Sequence, residues 1–255
     1  MRGVIDHFSY SQLNTYLMCP LRYRLQYVEL IPPAFTTSAL VFGSAVHEAV
    51  AAFHHQRLLG DTLGPDQMLD VYRQAWTNRN GDEIRFCNGD NEEALQEKAS
   101  QVLTVYHESF DPSVEILGIE EFFEMSINDT VPPFQGYIDL IEQGSGGNVT
   151  VVDLKTAARK LSNGQADSNL QLTAYSVGAQ SLGFNPDQLT LRLDVVTKTK
   201  NPELMRYETT RTEQERERFC KLVTSVWHAI ERETWFPRHD WQCAQCAWSE
   251  PCSKW

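Results

Sequence analysis

Asp153 and Lys155 stand two residues apart in VVDLKT, where Val149, Val151, Val152 and Leu154 mark a buried strand. Side chains alternate along a strand, so the acid and the lysine share one face with Val151. A carboxylate buried there without partners is strongly unfavourable, so the pair needs a partner or a purpose. Asp139 lies in the preceding apolar run GYIDLI. Hairpin pairing across Gly144, Ser145, Gly146, Gly147 and Asn148 brings it beside Asp153. Oxygen ligands of this kind suit a hard divalent ion such as Mg²⁺ or Mn²⁺, which neutralises the acids and can hold a substrate phosphate. Such an ion lowers the pKa of bound water and stabilises charge on phosphorus, while Lys155 orients the water or screens the developing anion. Phosphodiester hydrolysis is the chemistry that fits. The same residues also read as an Asp153–Lys155 ion pair beside a strand-end Asp139.

The elements that must position these groups follow from period and punctuation. Ser9 and Gln12 make a capping-box pattern ahead of Leu13, Tyr16 and Leu17; Pro20 opens a second short helix, with Cys19 at the joint. After Pro32-Pro33, Phe42, Val46, Val50 and Phe53 recur at helical spacing, and His47 borders that apolar face. Residues 61–110 read as a mostly helical insertion over the core, interrupted at NRNGDE (78–83) and CNGDNEE (87–93). From about residue 115 the period changes: EILGIEEFFEMSI, FQGYIDLIE and VTVVDLKT are three consecutive strands, the last two forming an antiparallel hairpin. SNLQLTAYSVGAQSLG returns to helical spacing, LTLRLDVVTK is a fourth strand and MRYETT a fifth. Thr212 to Glu233 is a charged amphipathic helix leading to a Trp- and Cys-rich tail. The order predicts an α/β sheet domain.

Composition bounds the partners. The chain has 255 residues, 42% hydrophobic and 22% charged, which excludes collagen-like, low-complexity and coiled-coil classes. Six cysteines are too few for a disulfide scaffold, the start carries no apolar export segment, and no apolar run reaches the roughly 18 residues of a membrane span. A soluble, cytoplasmic protein with reduced thiols is expected. With 34 acids against 22 bases the net charge is -12, which argues against a phosphate-bearing partner. The excess is regional, however: residues 81–148 hold 15 acids and 2 bases. Arg159, Lys160, Lys198, Lys200, Arg206 and Arg211 lie in neighbouring segments that could follow a strand, so DNA contact should be local, metal-assisted and away from residues 81–115.

Asp139 within GYID, followed by Asp153-Leu154-Lys155, resembles the PD-(D/E)xK nuclease superfamily, and further motifs resemble its RecB-like branch. Gly43 to His47 is similar to the GxxxH helix of that branch, which implies His47 as a metal ligand. Glu120 in GIEEFF is similar to the acid of the first core strand, with Glu121 as the adjacent alternative. Gln171 and Tyr175 are similar to the QxxxY helix after the lysine, and their i, i+4 spacing puts both on one face. The resemblance spans nearly the whole chain and implies a restriction-endonuclease-like mixed central sheet flanked by helices, as one domain over residues 1–255. It implies a metal shell of His47, Glu120, Asp139 and Asp153, with Lys155, Gln171 and Tyr175 completing the catalytic set.

Cys243, Cys246 and Cys252 form C-x2-C-x5-C, a spacing that lets three thiolates face one inorganic centre. In the AddB-like and CRISPR-associated members, one early cysteine followed by proline joins three late ones around a four-iron four-sulfur cluster. The resemblance thus implies Cys19 as the fourth ligand and a cluster that staples residue 19 to residues 235–255. A four-cysteine zinc site, a zinc site of three cysteines with His239, and free thiols are the other readings. Trp235, Phe236, Trp241, Trp248 and Trp255 crowd this tail and could shield a cluster or simply pack. Cys87 and Cys220 fit no ligand pattern.

Together these readings predict a Mg²⁺- or Mn²⁺-dependent deoxyribonuclease acting on single strands or DNA ends, with a structural 4Fe-4S cluster. The chain has no GxxxxGK[ST] run, so a helicase must be a separate partner, as would CRISPR integration proteins. The rival readings are a catalytically lapsed nucleic-acid-binding module and a zinc-stabilised interaction domain.

Overall fold

The computed structural model of the chain describes residues 5–78, 83–87, 89–162 and 164–255. Positions 79–82 of the NRNGDE interruption lie outside them. The N-terminal pair of helices forms, but only half of the expected capping box: Gln12 Oε1 is buried without a hydrogen-bond partner. The Ser9 hydroxyl accepts from the Gln12 amide at 3.3 Å to cap α1 (Tyr10–Met18), and Pro20 occupies the first position of α2 (Pro20–Tyr23). Just before α1, β1 (Phe8–Ser9) is a two-residue strand that sequence periodicity does not reveal.

Helix α3 (Ser38–Leu58) is the long helix carrying His47. The segment read as an insertion folds into α4 (Pro65–Asn78) and α5 (Glu92–Glu108), joined by the minor pairing of β2 (Thr36–Thr37) with β3 (Ile84–Arg85). The predicted strands are β4 (Glu115–Met125), β5 (Phe134–Gln143) and β6 (Val149–Ala157). Helix α6 (Leu170–Ser181) crosses over to β7 (Leu189–Thr197), followed by β8 (Leu204–Thr209) and α7 (Glu213–Glu231). Thr212 caps α7 in a reciprocal box with Glu215.

Among the described residues these strands make one six-stranded mixed sheet in the order β1-β5-β6-β7-β8, with β4 along the other side of β5. β6 and β7 are parallel, as a crossover helix demands, and the other long pairs are antiparallel. One face is covered by α1, α6 and α7 through Phe8, Leu13, Phe123, Phe134, Leu172, Phe219 and Trp227. The opposite face is covered by α3, α4 and α5 through Phe42, Val46, Met68, Tyr72, Trp76, Leu103 and Leu154. The 61–110 helices therefore contribute large buried side chains to the second layer, which their weak periodicity concealed.

Some of the polar groups buried in that second layer are paired, while Tyr72 Oη, Trp76 Nε1 and His54 Nδ1 are buried without hydrogen-bond partners. Arg192 on β7 forks onto Asp194 at 2.6 and 3.0 Å and reaches Glu142 on β5 at 2.8 Å. His54 shares a 2.7 Å hydrogen bond with the Tyr106 hydroxyl, and its burial pushes its pKa down to about 3, so it is neutral at physiological pH. Two of the cations expected to follow a strand are already engaged, and for Arg211, which is buried, this corrects the expectation. Arg206 donates to the Ser109 carbonyl at 2.9 Å, and Arg211 is buried, donating to Thr173 Oγ1 and to the Ala166 and Asn169 carbonyls where α6 begins. Arg211 anchors α6 and does not face a ligand. Lys160 pairs with Glu203, and Lys198 lies over the Phe42 ring.

Candidate active site

The site lies where the sheet forks. The β5–β6 ladder runs from Gln143/Val149 to Leu140/Val152 and stops, while β6 continues beside β7 to Ala157 and β5 continues beside β4. β1 pairs with β5 only at Phe134 and Gln135, beyond the gap. Asp139 and Asp153 are the first residues past the last β5–β6 pair. The hairpin thus brings the two acids together where pairing ends. The freed Leu154 amide of β6 donates to Asp139 Oδ2 at 2.9 Å, a carboxylate taking the place of a ladder carbonyl.

Asp153 is fully buried. Its Oδ1 accepts from Lys155 Nζ at 2.7 Å, and its Oδ2 is a buried atom with no hydrogen-bond partner. Burial pushes the Asp153 carboxyl up to about 7, opposed by the Lys155 charge and reinforced by Asp139. Lys155 also donates to Gln171 Oε1 at 2.9 Å. Gln171 Nε2 donates to the Tyr175 hydroxyl at 3.0 Å, which donates to Asp139 Oδ1 at 3.2 Å. The i, i+4 pair on α6 therefore links the lysine of β6 to the acid of β5. From the other layer, His47 Nδ1 stands 3.5 Å from Asp139 Oδ2.

Glu120 reaches the same place by an unusual route. Its backbone is left-handed, with φ 46°, and a register shift lies between Ile116 and Gly118 on the same strand. Non-glycine residues in this region cost about 1–3 kcal/mol and persist where the surroundings enforce them. Ile119 packs on the α3 side of the sheet and Phe123 on the α6 side, so alternation slips between them. Glu120 lines a cavity of about 420 Å³ together with Gly43, Ser44, His47, Glu48, Lys155 and Thr156. Glu121 instead lies against Gly118, its Cβ and Oε2 about 3.3 Å from where a Cβ on that glycine would sit. The geometry favours Glu120 over its neighbour.

Sequence reading missed Ser44, Glu48 and Thr156 in this cavity, although each adjoins or shares a helix face with a residue already singled out. It also missed Tyr10, whose pKa is raised by burial and by the Asp153 charge. Only the β1–β5 pairing connects residue 10 to this site, and two paired residues leave no periodic signal.

The four cysteines converge elsewhere. Cys19, Cys243, Cys246 and Cys252 all line one cavity of about 230 Å³, with His239, Arg22 and Trp248 in its wall. Burial raises the Cys252 pKa, and Cys19, Cys246 and Cys243 add to the rise. Among the described residues no group of three or more His, Cys, Asp or Glu side chains is already set in metal-holding geometry, here or at the fork. Of the tail aromatics, Trp248 is buried beside the thiols, whereas Trp241 and Trp255 are exposed and shield nothing.

A forked mixed sheet, with two carboxylates and a lysine at the fork and helices supplying His and Gln-Tyr, defines a phosphodiester-cleaving class. The PD-(D/E)XK nuclease superfamily pattern matches residues 7–253, and the chain belongs to that superfamily. Among solved structures, a Eubacterium rectale protein named "putative exonuclease" aligns with TM-score 0.58 and 13% identity, over 98% of this chain and 88% of that one. SSO0001 aligns with TM-score 0.47 and 14% identity, over 100% and 89%. The first likeness is one of fold. No curated protein matches the sequence. No helix among the described residues is long and apolar enough to cross a membrane.

Proposed function

We propose that the chain is a divalent-metal-dependent DNA nuclease of the RecB-like type, forming one nuclease domain with the 61–110 helices as an insertion and acting as an exonuclease on single strands or DNA ends. The observation that carries the reading is Asp153 Oδ2, a buried carboxylate oxygen without a partner beside a second carboxylate, which is what an oxygen-ligated cation satisfies. Asp153, Asp139 and Glu120, with His47, would hold Mg²⁺ or Mn²⁺. A bound ion supplies charge neutralisation for the phosphate and a more acidic water.

The chain's own residues do the rest. Lys155 holds the attacking water and screens the charge that develops on phosphorus. Gln171 fixes the ammonium by accepting from it, and Tyr175 fixes Asp139 by donating to it, so one helix sets the spacing of base and acid. The proton that the attacking water gives up passes to solvent in the open cavity, and the leaving oxygen takes its proton from the same solvent. The test is a time course on end-labelled single- and double-stranded DNA with each metal. A ladder shortening one nucleotide at a time is expected; discrete internal cuts overturn the exonuclease reading, and no cleavage of either substrate overturns the nuclease reading.

The cysteine cavity supports a structural 4Fe-4S cluster, because four thiols from both ends of the chain line one space. Anaerobically purified protein is expected to be brown, absorbing at roughly 400 nm, and Cys19→Ala to lose iron and melt earlier. His239 in the same wall favours zinc as the second reading. A colourless, folded, zinc-containing preparation would establish it instead.

A further inference from the structure

A groove of about 680 Å³ opens beside the catalytic cavity, and Leu40 of α3 lines both. Leu40, Gly43, Ser44 and His47 follow the i, i+3, i+4, i+7 row of one helix face, so a continuous stripe about 10 Å long runs from groove to catalytic cavity. The groove wall includes Arg22, Gln26, Gln242, Gln245 and Trp241, and among the described residues no Asp or Glu lines it, although the chain carries 34 acids. Arg22 is held over the Trp248 ring at 5.0 Å, while Arg22 Nε and Gln26 Oε1 are buried atoms without hydrogen-bond partners.

Trp241 is 77% exposed; its amide donates to Asp240 Oδ1 at 2.8 Å at the start of a 3-10 turn that Gln242 Nε2 ties to the Met18 carbonyl. An indole left in water contributes nothing to the core. It is the surface on which a flat heterocycle would stack; Gln242 Nε2 donates to the Met18 and Arg238 carbonyls, whereas the exposed Gln245 amide can both donate and accept, as a base edge requires.

We propose that this groove is a stacking subsite for an unpaired nucleobase of the strand being cleaved, with Trp241 as the platform. This rests on the nuclease reading and specifies its substrate as single-stranded next to the scissile bond. With one cation in the wall, stacking outweighs phosphate attraction, so the Trp241 contribution persists when salt is raised.

The test uses the full chain with its cysteine centre intact. Binding of fluorescein-labelled oligothymidylate is read by anisotropy with Ca²⁺ in place of the catalytic metal, and cleavage kinetics are read with Mn²⁺. Trp241→Ala should weaken binding and raise KM about tenfold at low and high salt alike, with kcat little changed. Trp241→Phe should recover most of the loss, and Trp255→Ala, the exposed tail tryptophan outside the groove, should bind as wild type. Unaltered affinity and KM in Trp241→Ala overturn the subsite, and that includes the case in which the groove serves a protein partner. If the wild type binds but cleaves nothing, the nuclease reading fails while the anisotropy comparison still decides the subsite.

Discussion

Asp153→Asn should cut DNA cleavage by at least about 10³-fold, and Lys155→Ala by about 10²–10⁴-fold, measured as single-turnover rates at saturating Mn²⁺. Asp153→Asn keeps the shape and removes the charge that a cation needs. Without metal, that charge is a liability to the fold, since Asp153 is fully buried and one of its oxygens has no partner. The Asp153→Asn variant should therefore melt, in EDTA, at or above the wild-type temperature while being inactive. A structural ion pair behaves in the opposite way. Breaking it would lower the melting temperature, and activity would fall only with the folded fraction. Wild-type rates in both variants would overturn the assignment of this pair to catalysis.

The predicted contrast turns on a reading that the sequence already allowed. VVDLKT shows by alternation that acid and lysine share a face, and the structure places their charged atoms 2.7 Å apart. The Gly-rich hairpin, the α6 row of Gln171 and Tyr175, and the capped ends of α1 and α7 are local features, and local features are legible because their period or punctuation is written in consecutive residues. The order of the long strands and helices followed from the same signals, but the two-residue strands β1, β2 and β3 did not.

What escaped is long-range or irregular. The hairpin fixes register near its turn but gives no hint that pairing ends at Leu140/Val152, so the fork that frees the two acids from ladder pairing could be seen only with β4 and β7 in place. The left-handed backbone at Glu120 breaks strand alternation inside β4, and Gly118 two residues earlier marks the register shift without showing which side chain it re-aims. Arg211 looked like a free cation because nothing in MRYETTRT reveals three acceptors, Ala166 and Asn169 before α6 and Thr173 in its first turn. The C-x2-C-x5-C spacing is local, whereas the presence of Cys19 in the wall of the same cavity is a long-range fact.

One such long-range contact sets the position of the whole α6 row. A Cβ on Gly178 would lie 2.7 Å from three ring atoms of Phe123, and a Cβ on Gly136 would lie 2.7 Å from the same ring on its β5 side. Phe123 is 2% exposed and meets Tyr175 edge-on at 6.5 Å, so the ring is wedged and has nowhere to retreat. In an open helix, Gly178→Ala would stabilise by about 1 kcal/mol; here overpacking of about 1–3 kcal/mol or more opposes it, and with backbone or ring forced to move the clash wins. Gly178→Ala should lower the urea midpoint at unchanged slope. Because α6 carries Gln171 and Tyr175, the folded variant should also lose kcat, as Lys155 and Asp139 shift relative to each other. Shortening the wedge relieves both effects: Gly178→Ala combined with Phe123→Leu should be more stable than the sum of the two single losses, a coupling of about 1 kcal/mol or more. Strict additivity would mean that the ring does not hold α6 in place. The glycine after Tyr175 is then best understood as a spacing element of the catalytic row, since the ring it admits sets how far Gln171 stands from Lys155.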